Sequence, residues 1–229
     1  MIRKTQLYLL GGSPAYSVYA TDVVRASGGP KAIFGALVQK RAGGEKHYGV
    51  LVTTWQESGV IHSDVIVPNE PGLLPVDAAV TILNKATGVF IGGGHTPTYH
   101  QLFATEPIRA TIRKQYAKGI PVAGISAGAL IAMEKCQLTP DETGRERLQV
   151  VEGLNLANGF VVGVHFTEWD ALSDVLDTMK ATQTKIGIGI DEPACVVCEN
   201  GKIVKVLGKS VYRIEMTDFS KMSYAKTKL

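Results

Sequence analysis

The chain has 229 residues, 45% of them hydrophobic and 20% charged, with a net charge of +3, so we expect one α/β domain over residues 1–229 with a large core. The basic residues are scattered and are not interleaved with aromatic ones, which argues against a nucleic-acid surface. Three cysteines, an odd and low number, argue against a disulfide framework and favour a reducing compartment.

The first half of the chain alternates predicted strands and helices. LYLL, residues 7–10, forms a short buried strand, and this run is too short for a signal peptide. Because no apolar run is long enough to cross a bilayer, we expect a cytoplasmic protein without a membrane partner. Helices are predicted over 31–42, 76–86 and 105–119, and strands over 48–54, 60–68, 88–94 and 120–125.

The second half continues the alternation and ends in β-structure. Helices are predicted over 129–136 and 167–180, the latter with a capping box at Thr167 and Asp170, and strands over 160–166, 186–190 and 211–216. An Asn-Gly turn predicts a hairpin over 194–208, and the polar stretch 139–149 predicts a mobile loop. Several strands are apolar throughout, as expected where helices cover both faces of a sheet. These patterns predict a three-layer αβα fold with a mainly parallel sheet and an antiparallel C-terminal hairpin.

Cys195 and Cys198 are spaced C-x-x-C, but they lie in a predicted strand and would point to opposite faces of the sheet. This favours packing over redox chemistry, because a redox motif opens a helix after a strand. The sequence has no second Cys or His pair at zinc spacing, so we expect neither a metal nor a cofactor.

Candidate functional groups follow the strands at their carboxyl ends, where open α/β sheets bind ligands. They are the turn Gly92–Gly93–Gly94–His95–Thr96, then Ser126, His165 and the pair Asp191–Glu192. We expect a hydroxyl, an imidazole, a carboxylate and a glycine-rich turn to converge at one edge of the sheet.

Ser126 lies in GISAG, a G-x-S-x-G pattern between a predicted strand and a predicted helix. This context is that of a nucleophile elbow, in which glycines permit a tight turn that presents the hydroxyl at a helix N-terminus. The alternative is a serine that only caps the helix.

A nucleophilic serine needs a base and a group that orients the base. His165 directly follows a strand and is the predicted base, whereas His47 and His62 fit ordinary surface positions and His100 fits a helix. Glu192 is the predicted orienting acid, with Asp191 as the alternative.

The glycine turn is predicted to bring backbone N–H groups close to the substrate. The N–H groups of Gly93, Gly94 and Ala127 would form an oxyanion hole, and His95 and Thr96 would contact the substrate. The rival interpretation, a phosphate-binding loop, lacks both the G-K-[ST] sequence and the spacing of a dinucleotide fingerprint.

The motifs IGGGHT, GISAGAL, VHF and GIGIDE, in this order, resemble the dipeptidase E and cyanophycinase family of serine peptidases, peptidase family S51. The resemblance spans most of the chain and implies a fold like that of class I glutamine amidotransferases. It also implies Ser126 as nucleophile, His165 as base, Glu192 as orienting acid, and cleavage beside aspartyl residues.

The stretch after His165 departs from the cyanophycinases, which resemble one another in carrying several arginines there. In this chain the next arginine is Arg213, and Trp169 stands where an arginine would hold a substrate carboxylate. The catalytic motifs therefore match more closely than the substrate-recognising ones, and Trp169 is a predicted substrate contact. Glu168 and Asp170 either favour a basic group or serve as carboxylates in the first turn of a helix.

The function predicted from the sequence is hydrolysis of a small peptide, isopeptide or amide by a serine hydrolase, expected to be a homodimer. One alternative is a catalytically silent binding or regulatory module on the same fold. Another is a small-amide hydrolase of the amidotransferase-like group, whose members usually carry cysteine at the elbow.

Overall fold

The computed structural model describes residues 4–39, 44–60, 62–68 and 73–229. The strands are β1 (Gln6–Leu10), β2 (Ile33–Leu37), β3 (His62–Ile66), β4 (Gly88–Ile91), β5 (Val122–Ile125), β6 (Lys135–Leu138), β7 (Gln149–Glu152), β8 (Val161–Val164), β9 (Ile186–Ile190), β10 (Ala194–Glu199), β11 (Lys202–Gly208), β12 (Val211–Asp218) and β13 (Ser223–Lys228). The helices are α1 (Tyr16–Ala26), α2 (Gly44–Glu57), α3 (Val76–Lys85), α4 (Thr96–Phe103), α5 (Ile108–Ala117), α6 (Ala127–Ala132), α7 (Pro140–Thr143) and α8 (Leu172–Thr182). Among the helices in these ranges, none has the length and apolar composition needed to cross a membrane.

The central sheet has seven strands in the order β11-β10-β1-β5-β4-β2-β3. The five strands from β1 to β3 in this order pair in parallel, whereas β10 and β11 form an antiparallel hairpin. The mainly parallel sheet and the antiparallel hairpin predicted from the sequence are thus confirmed. A second sheet, in the order β13-β12-β9-β8, contains the parallel pair β8 and β9, and β6 and β7 form a separate antiparallel pair.

Helices cover both faces of the central sheet. Successive residues of β1 belong to different cores: Leu7 and Leu9 pack on the side of α3 to α6, while Tyr8 and Leu10 pack on the side of α1 and α2. A third core forms where α8 packs against the second sheet. The strands are apolar throughout because both of their faces are buried.

The prediction of a helix over 31–42 is wrong, because residues Ile33–Leu37 form β2, between β3 and β4. A short apolar run has the same composition in a buried strand and a buried helix, and here pairing on both sides selected the strand. The end of the predicted helix, residues 40–42, lies outside the described residues.

The prediction of a strand over 48–54 is also wrong, because this segment lies within α2. Leu51 and Trp55, four residues apart, are buried against α1, whereas Val50 is 53% exposed. The one-sided burial has the helical period, so tertiary packing overrode the β-propensity of the valines and threonines.

The C-x-x-C segment forms β10, as predicted. Cys195 belongs to the core beside α1 and α2, and Cys198 belongs to the opposite core, so the two thiols lie on opposite faces of the sheet. Burial raises the pKa of both thiols, that of Cys198 to about 12. Both residues therefore serve packing.

Three predicted boundaries need correction. The helix predicted over 129–136 ends at Ala132, because β6 begins at Lys135 and pairs with β7. The helix predicted to start at Thr167 begins at Leu172, and its N-cap Ala171 has no side-chain cap. The polar stretch 139–149, predicted as a loop, contains the short helix α7. Neither α1, β7 nor β13 was predicted from the sequence, and α4 was anticipated only through the placement of His100 in a helix.

Candidate active site

Ser126 lies at the junction between β5 and α6, as the G-x-S-x-G pattern predicts. Its backbone has φ 52° and ψ −119°, a conformation that non-glycine residues rarely adopt. The backbone of Ser126 begins the helix, because its carbonyl accepts hydrogen bonds from the N–H groups of Ala129 and Leu130. Its side chain makes no capping bond, so the hydroxyl is directed elsewhere.

The two glycines of the pattern allow this turn to pack closely. A Cβ atom at Gly124 would collide with the backbone of Gly128, and one at Gly128 would collide with the carbonyls of Ile91 and Gly92. Because no side chain fits at either position, the ends of β4 and β5 can approach each other around Ser126.

His165 joins Ser126 and Glu192 in one hydrogen-bonded chain. Its Nε2 lies 2.9 Å from Ser126 Oγ, and its Nδ1 lies 2.7 Å from Glu192 Oε1. A proton on Nδ1 donates to the carboxylate and leaves Nε2 free to accept from the serine hydroxyl. The imidazole is 9% exposed and its backbone φ is 46°, so the ring is held in a constrained position.

The two acidic candidates have different partners. Glu192 contacts the imidazole of His165, whereas Asp191 Oδ1 accepts a hydrogen bond of 2.9 Å from the backbone N–H of Thr167. Asp191 is 5% exposed, and its carboxylate bonds the backbone of Thr167 rather than the imidazole. The geometry therefore favours Glu192 over Asp191 as the group that orients His165.

These side chains open into a cavity of about 460 Å³. Its wall combines the glycine turn with Gln39 and a group of aromatic and apolar side chains. The aromatic residues of the lining are Tyr16, Tyr48, Phe90, Tyr99 and Trp169. Among the described residues of this wall, the ionisable acids and bases other than tyrosine are His165 and Glu192, which already bond to each other.

The glycine turn approaches the serine closely. A Cβ atom built on Gly93 would lie 3.0 Å from Ser126 Cβ. Within the part of the chain that the structure describes, no group accepts a hydrogen bond from the backbone N–H of Gly93, Gly94 or Ala127. These N–H groups are thus available as donors, and those of Gly93 and Ala127 belong to residues beside Ser126.

His95 and Thr96 are not among the residues that line the cavity, and their contact with substrate stays a prediction. The imidazole of His95 bonds Thr98 Oγ1 through Nδ1 and the Glu142 carbonyl through Nε2. The backbone N–H and hydroxyl of Thr96 both donate to Glu142 Oε1. These contacts fasten α7 to the start of α4, where a carboxylate is favoured by the helix dipole.

His62 and His100 do not line the cavity. His62 Nε2 lies 3.2 Å from Asp64 Oδ2 at an exposed position, and His100 Nε2 donates to the carbonyl of Glu152. The side chain of His47 lies outside the described residues. Among the described residues, no three His, Cys, Asp or Glu side chains are arranged to hold a metal ion.

Most of the cavity wall was not predicted from the sequence. Gln39 and Tyr48 fall in or beside segments assigned to the wrong secondary structure, and Tyr16 lies on a helix that was not predicted. Tyr99 lies on α4, and its hydroxyl accepts a hydrogen bond from the N–H of Gln39. The amphipathic spacing of Tyr16, Tyr19 and Val23 was the signal that could have revealed α1.

Comparisons with known proteins agree with this architecture. A cyanophycinase from Synechococcus elongatus is 24% identical over 211 residues, which cover 90% of this chain and 65% of that protein. The pyridoxal 5′-phosphate synthase subunit PdxT of Methanosarcina mazei is 26% identical over 164 residues, 72% of this chain and 74% of the subunit.

The crystal structure of a peptidase from an acI-B1 Actinobacterium superposes with a TM-score of 0.72 at 18% identity. The superposition covers 99% of this chain and 96% of that one, so the two share a fold. The sequence profile of peptidase family S51 matches residues 73–206, more than half of the chain. The chain therefore belongs to peptidase family S51.

Proposed function

We propose that the chain is a serine-type peptidase that cleaves a peptide or isopeptide amide bond through Ser126, His165 and Glu192. The observation that carries the proposal is the continuous chain of two hydrogen bonds, 2.9 Å and 2.7 Å long, at the wall of the cavity. A serine, a base and an acid within hydrogen-bond reach form the arrangement that activates a hydroxyl for attack.

The reaction proceeds in two halves. His165 Nε2 takes the proton of Ser126 Oγ as the oxygen attacks the acyl carbon, and the oxyanion is held by the N–H groups of Gly93 or Gly94 and Ala127. His165 then gives its proton to the leaving nitrogen, and the C–N bond breaks. Water, deprotonated by His165, attacks the resulting ester and releases the acid and the free serine.

The carboxylate of Glu192 stabilises the positively charged form of His165 during the reaction. It holds the Nδ1–H tautomer of His165 and is the counter-ion of the imidazolium that forms in each half-reaction. No step requires a metal or an organic cofactor.

If the chain were a catalytically silent module on the same fold, we would expect a long distance between Ser126 Oγ and the imidazole of His165. The 2.9 Å separation supports the catalytic proposal instead. The serine at the elbow likewise distinguishes the proposal from the small-amide hydrolases that carry cysteine there.

The substrate can be identified with a panel of short peptides varied on both sides of the bond. The panel contains aspartyl and β-aspartyl residues, basic residues, and neutral aromatic residues that match the ring-lined wall. We expect wild type and the surface variant Ser173→Ala to cleave the same members, and Ser126→Ala to cleave none. Cleavage by Ser126→Ala at the wild-type rate, or by no form of the protein, would contradict the proposal.

A further inference from the structure

The pairing of β8 and β9 continues past the ends of the strands. Val164 and Ile190 are the last paired residues, and the N–H of Phe166 donates to the Ile190 carbonyl at 3.2 Å. His165 and Glu192 lie within two residues of the last paired positions, Val164 and Ile190. The relative position of the segments that follow β8 and β9 sets the distance between the imidazole and the carboxylate.

Two carboxylates link the segments after the strands end. Asp191 Oδ1 accepts from the N–H of Thr167 at 2.9 Å, and Glu168 Oε1 accepts from the N–H of Glu192 at 3.2 Å. The links run in opposite directions, so each segment supplies one carboxylate and one backbone N–H. Beyond the ends of β8 and β9, these side-chain hydrogen bonds take the place of the backbone–backbone hydrogen bonds between the two strands.

The Asp191 link is built into the interior of the protein. Asp191 is nearly inaccessible to solvent, and its backbone N–H and carbonyl bond Ser210 and Ala194. A carboxylate in such a place requires a donor, and the N–H of Thr167 supplies one two residues after His165. This anchors the segment that contains the imidazole to the segment that contains Glu192.

The constrained backbone of His165 makes such anchoring necessary. Its φ of 46° is unfavourable for a residue with a side chain and persists only where the surroundings fix it. Its N–H donates to Gly11, and its carbonyl accepts from Trp169. The link at Thr167 restrains the same stretch from a third direction.

We propose that Asp191 and Glu168 are positioning residues that set the hydrogen bond between His165 Nδ1 and Glu192 Oε1. The inference rests on the proposed function, because it holds that the two carboxylates help to orient His165 as the catalytic base. Neither carboxylate lines the cavity, so the pair acts on catalysis without binding the substrate.

The test uses alanine variants that remove each acceptor and amide variants that keep an acceptor oxygen. These are Asp191→Ala, Glu168→Ala, Asp191→Asn and Glu168→Gln. Asp170→Asn is the matched control, because it removes a carboxylate from the same exposed segment and no hydrogen bond joins Asp170 to residues 191–192 in the described structure.

The first readout is the far-downfield proton NMR signal of the His165 Nδ1–H, which requires no substrate. We expect each alanine variant to lose the signal, and the amide variants and Asp170→Asn to keep it. The second readout is peptide hydrolysis, where we expect kcat to fall about 100-fold in the alanine variants with KM unchanged, the effect of misplacing a catalytic group by about 1 Å.

Persistence of the wild-type signal and kcat in both alanine variants would overturn the proposal. So would a loss of thermal stability with the signal intact, which would indicate a merely structural role. If Asp191→Ala does not fold, Glu168→Ala, a change at an exposed residue, still shows whether these carboxylates position the imidazole. If the wild type cleaves no peptide, the proposed function fails while the NMR signal still tests the positioning.

Discussion

The indole of Trp169 stacks on the imidazole of His165, with ring centroids 3.9 Å apart and ring planes 12° apart. Trp169 is itself 67% exposed and lines the cavity. One face of the imidazole is therefore shielded from water by a side chain that also forms the rim of the site.

Replacing Trp169 tests the value of this stack. We expect Trp169→Ala to lower kcat/KM about 10-fold, since aromatic pairs contribute about 0.5–1.5 kcal/mol beyond burial. Trp169→Phe keeps a stacking face and should retain most of the activity. Equal steady-state constants in wild type and Trp169→Ala would show that the stack has no part in catalysis.

Fluorescence provides the control for those variants, because the chain has two tryptophans. Trp55 is buried and its indole N–H donates to Tyr19 at 3.0 Å, so acrylamide should quench only Trp169. Trp169→Phe should abolish the quenched component, and Trp55→Phe should leave it.

Neutralising Glu192 should damage catalysis without unfolding the protein. Glu192→Gln keeps the size of the side chain but removes the charge that stabilises the imidazolium, and in a serine-protease triad the corresponding loss reaches about 10⁴-fold in kcat. Glu199→Gln, which breaks an exposed ion pair with Lys4, is the control and should keep wild-type activity. A Glu192→Gln variant within a few-fold of wild type would assign the orienting role to another group.

Two glycine-to-alanine changes should act in opposite directions on stability. In Gly128→Ala the new Cβ meets the carbonyls of Ile91 and Gly92, so we expect a lower free energy of unfolding and loss of activity. Gly49→Ala, in the exposed face of α2, meets nothing within 4 Å and should stabilise the helix by up to about 1 kcal/mol. Urea denaturation measures both, and a Gly128→Ala variant as stable as Gly49→Ala would disprove the packing at the serine turn.

The cysteines should be inert in the folded protein. Burial raises the pKa of all three thiols, so each stays protonated below that raised pKa, and the thiolate is the form that reacts. We expect iodoacetamide at neutral pH to leave the activity intact, with alkylation of all three thiols only after denaturation. Inactivation of the native protein by stoichiometric alkylation would point to cysteine chemistry and away from Ser126.

Three side chains singled out in the sequence lie within hydrogen-bond reach of one another, whereas two of the elements predicted around them were wrong. Ser126, His165 and Glu192 each follow a buried apolar strand, but β5 lies in the central sheet whereas β8 and β9 lie in the second sheet, so the expectation of a single sheet edge is wrong. Local glycine patterns marked the turn at Ser126 because only glycine fits beside the crossing backbone. These signals are local, which is why they were visible without the structure.

What the sequence could not show depends on tertiary contacts. The segment 48–54 has the composition of a strand, and only the burial of Leu51 and Trp55 against α1 makes it helical. His95 follows the glycine turn as a substrate contact would, yet its ring is occupied by Thr98 and by α7, which comes 47 residues later. The choice between Asp191 and Glu192 likewise depended on a backbone N–H at Thr167.

Labelling with a fluorophosphonate probe, followed by mass spectrometry of the modified peptide, tests the central claim most directly. We predict a single phosphonylated residue, Ser126, in wild type and in the surface variant Ser173→Ala, and no labelling of Ser126→Ala. Labelling of Ser126→Ala at the wild-type rate, or a modified peptide that does not contain residue 126, would contradict the account.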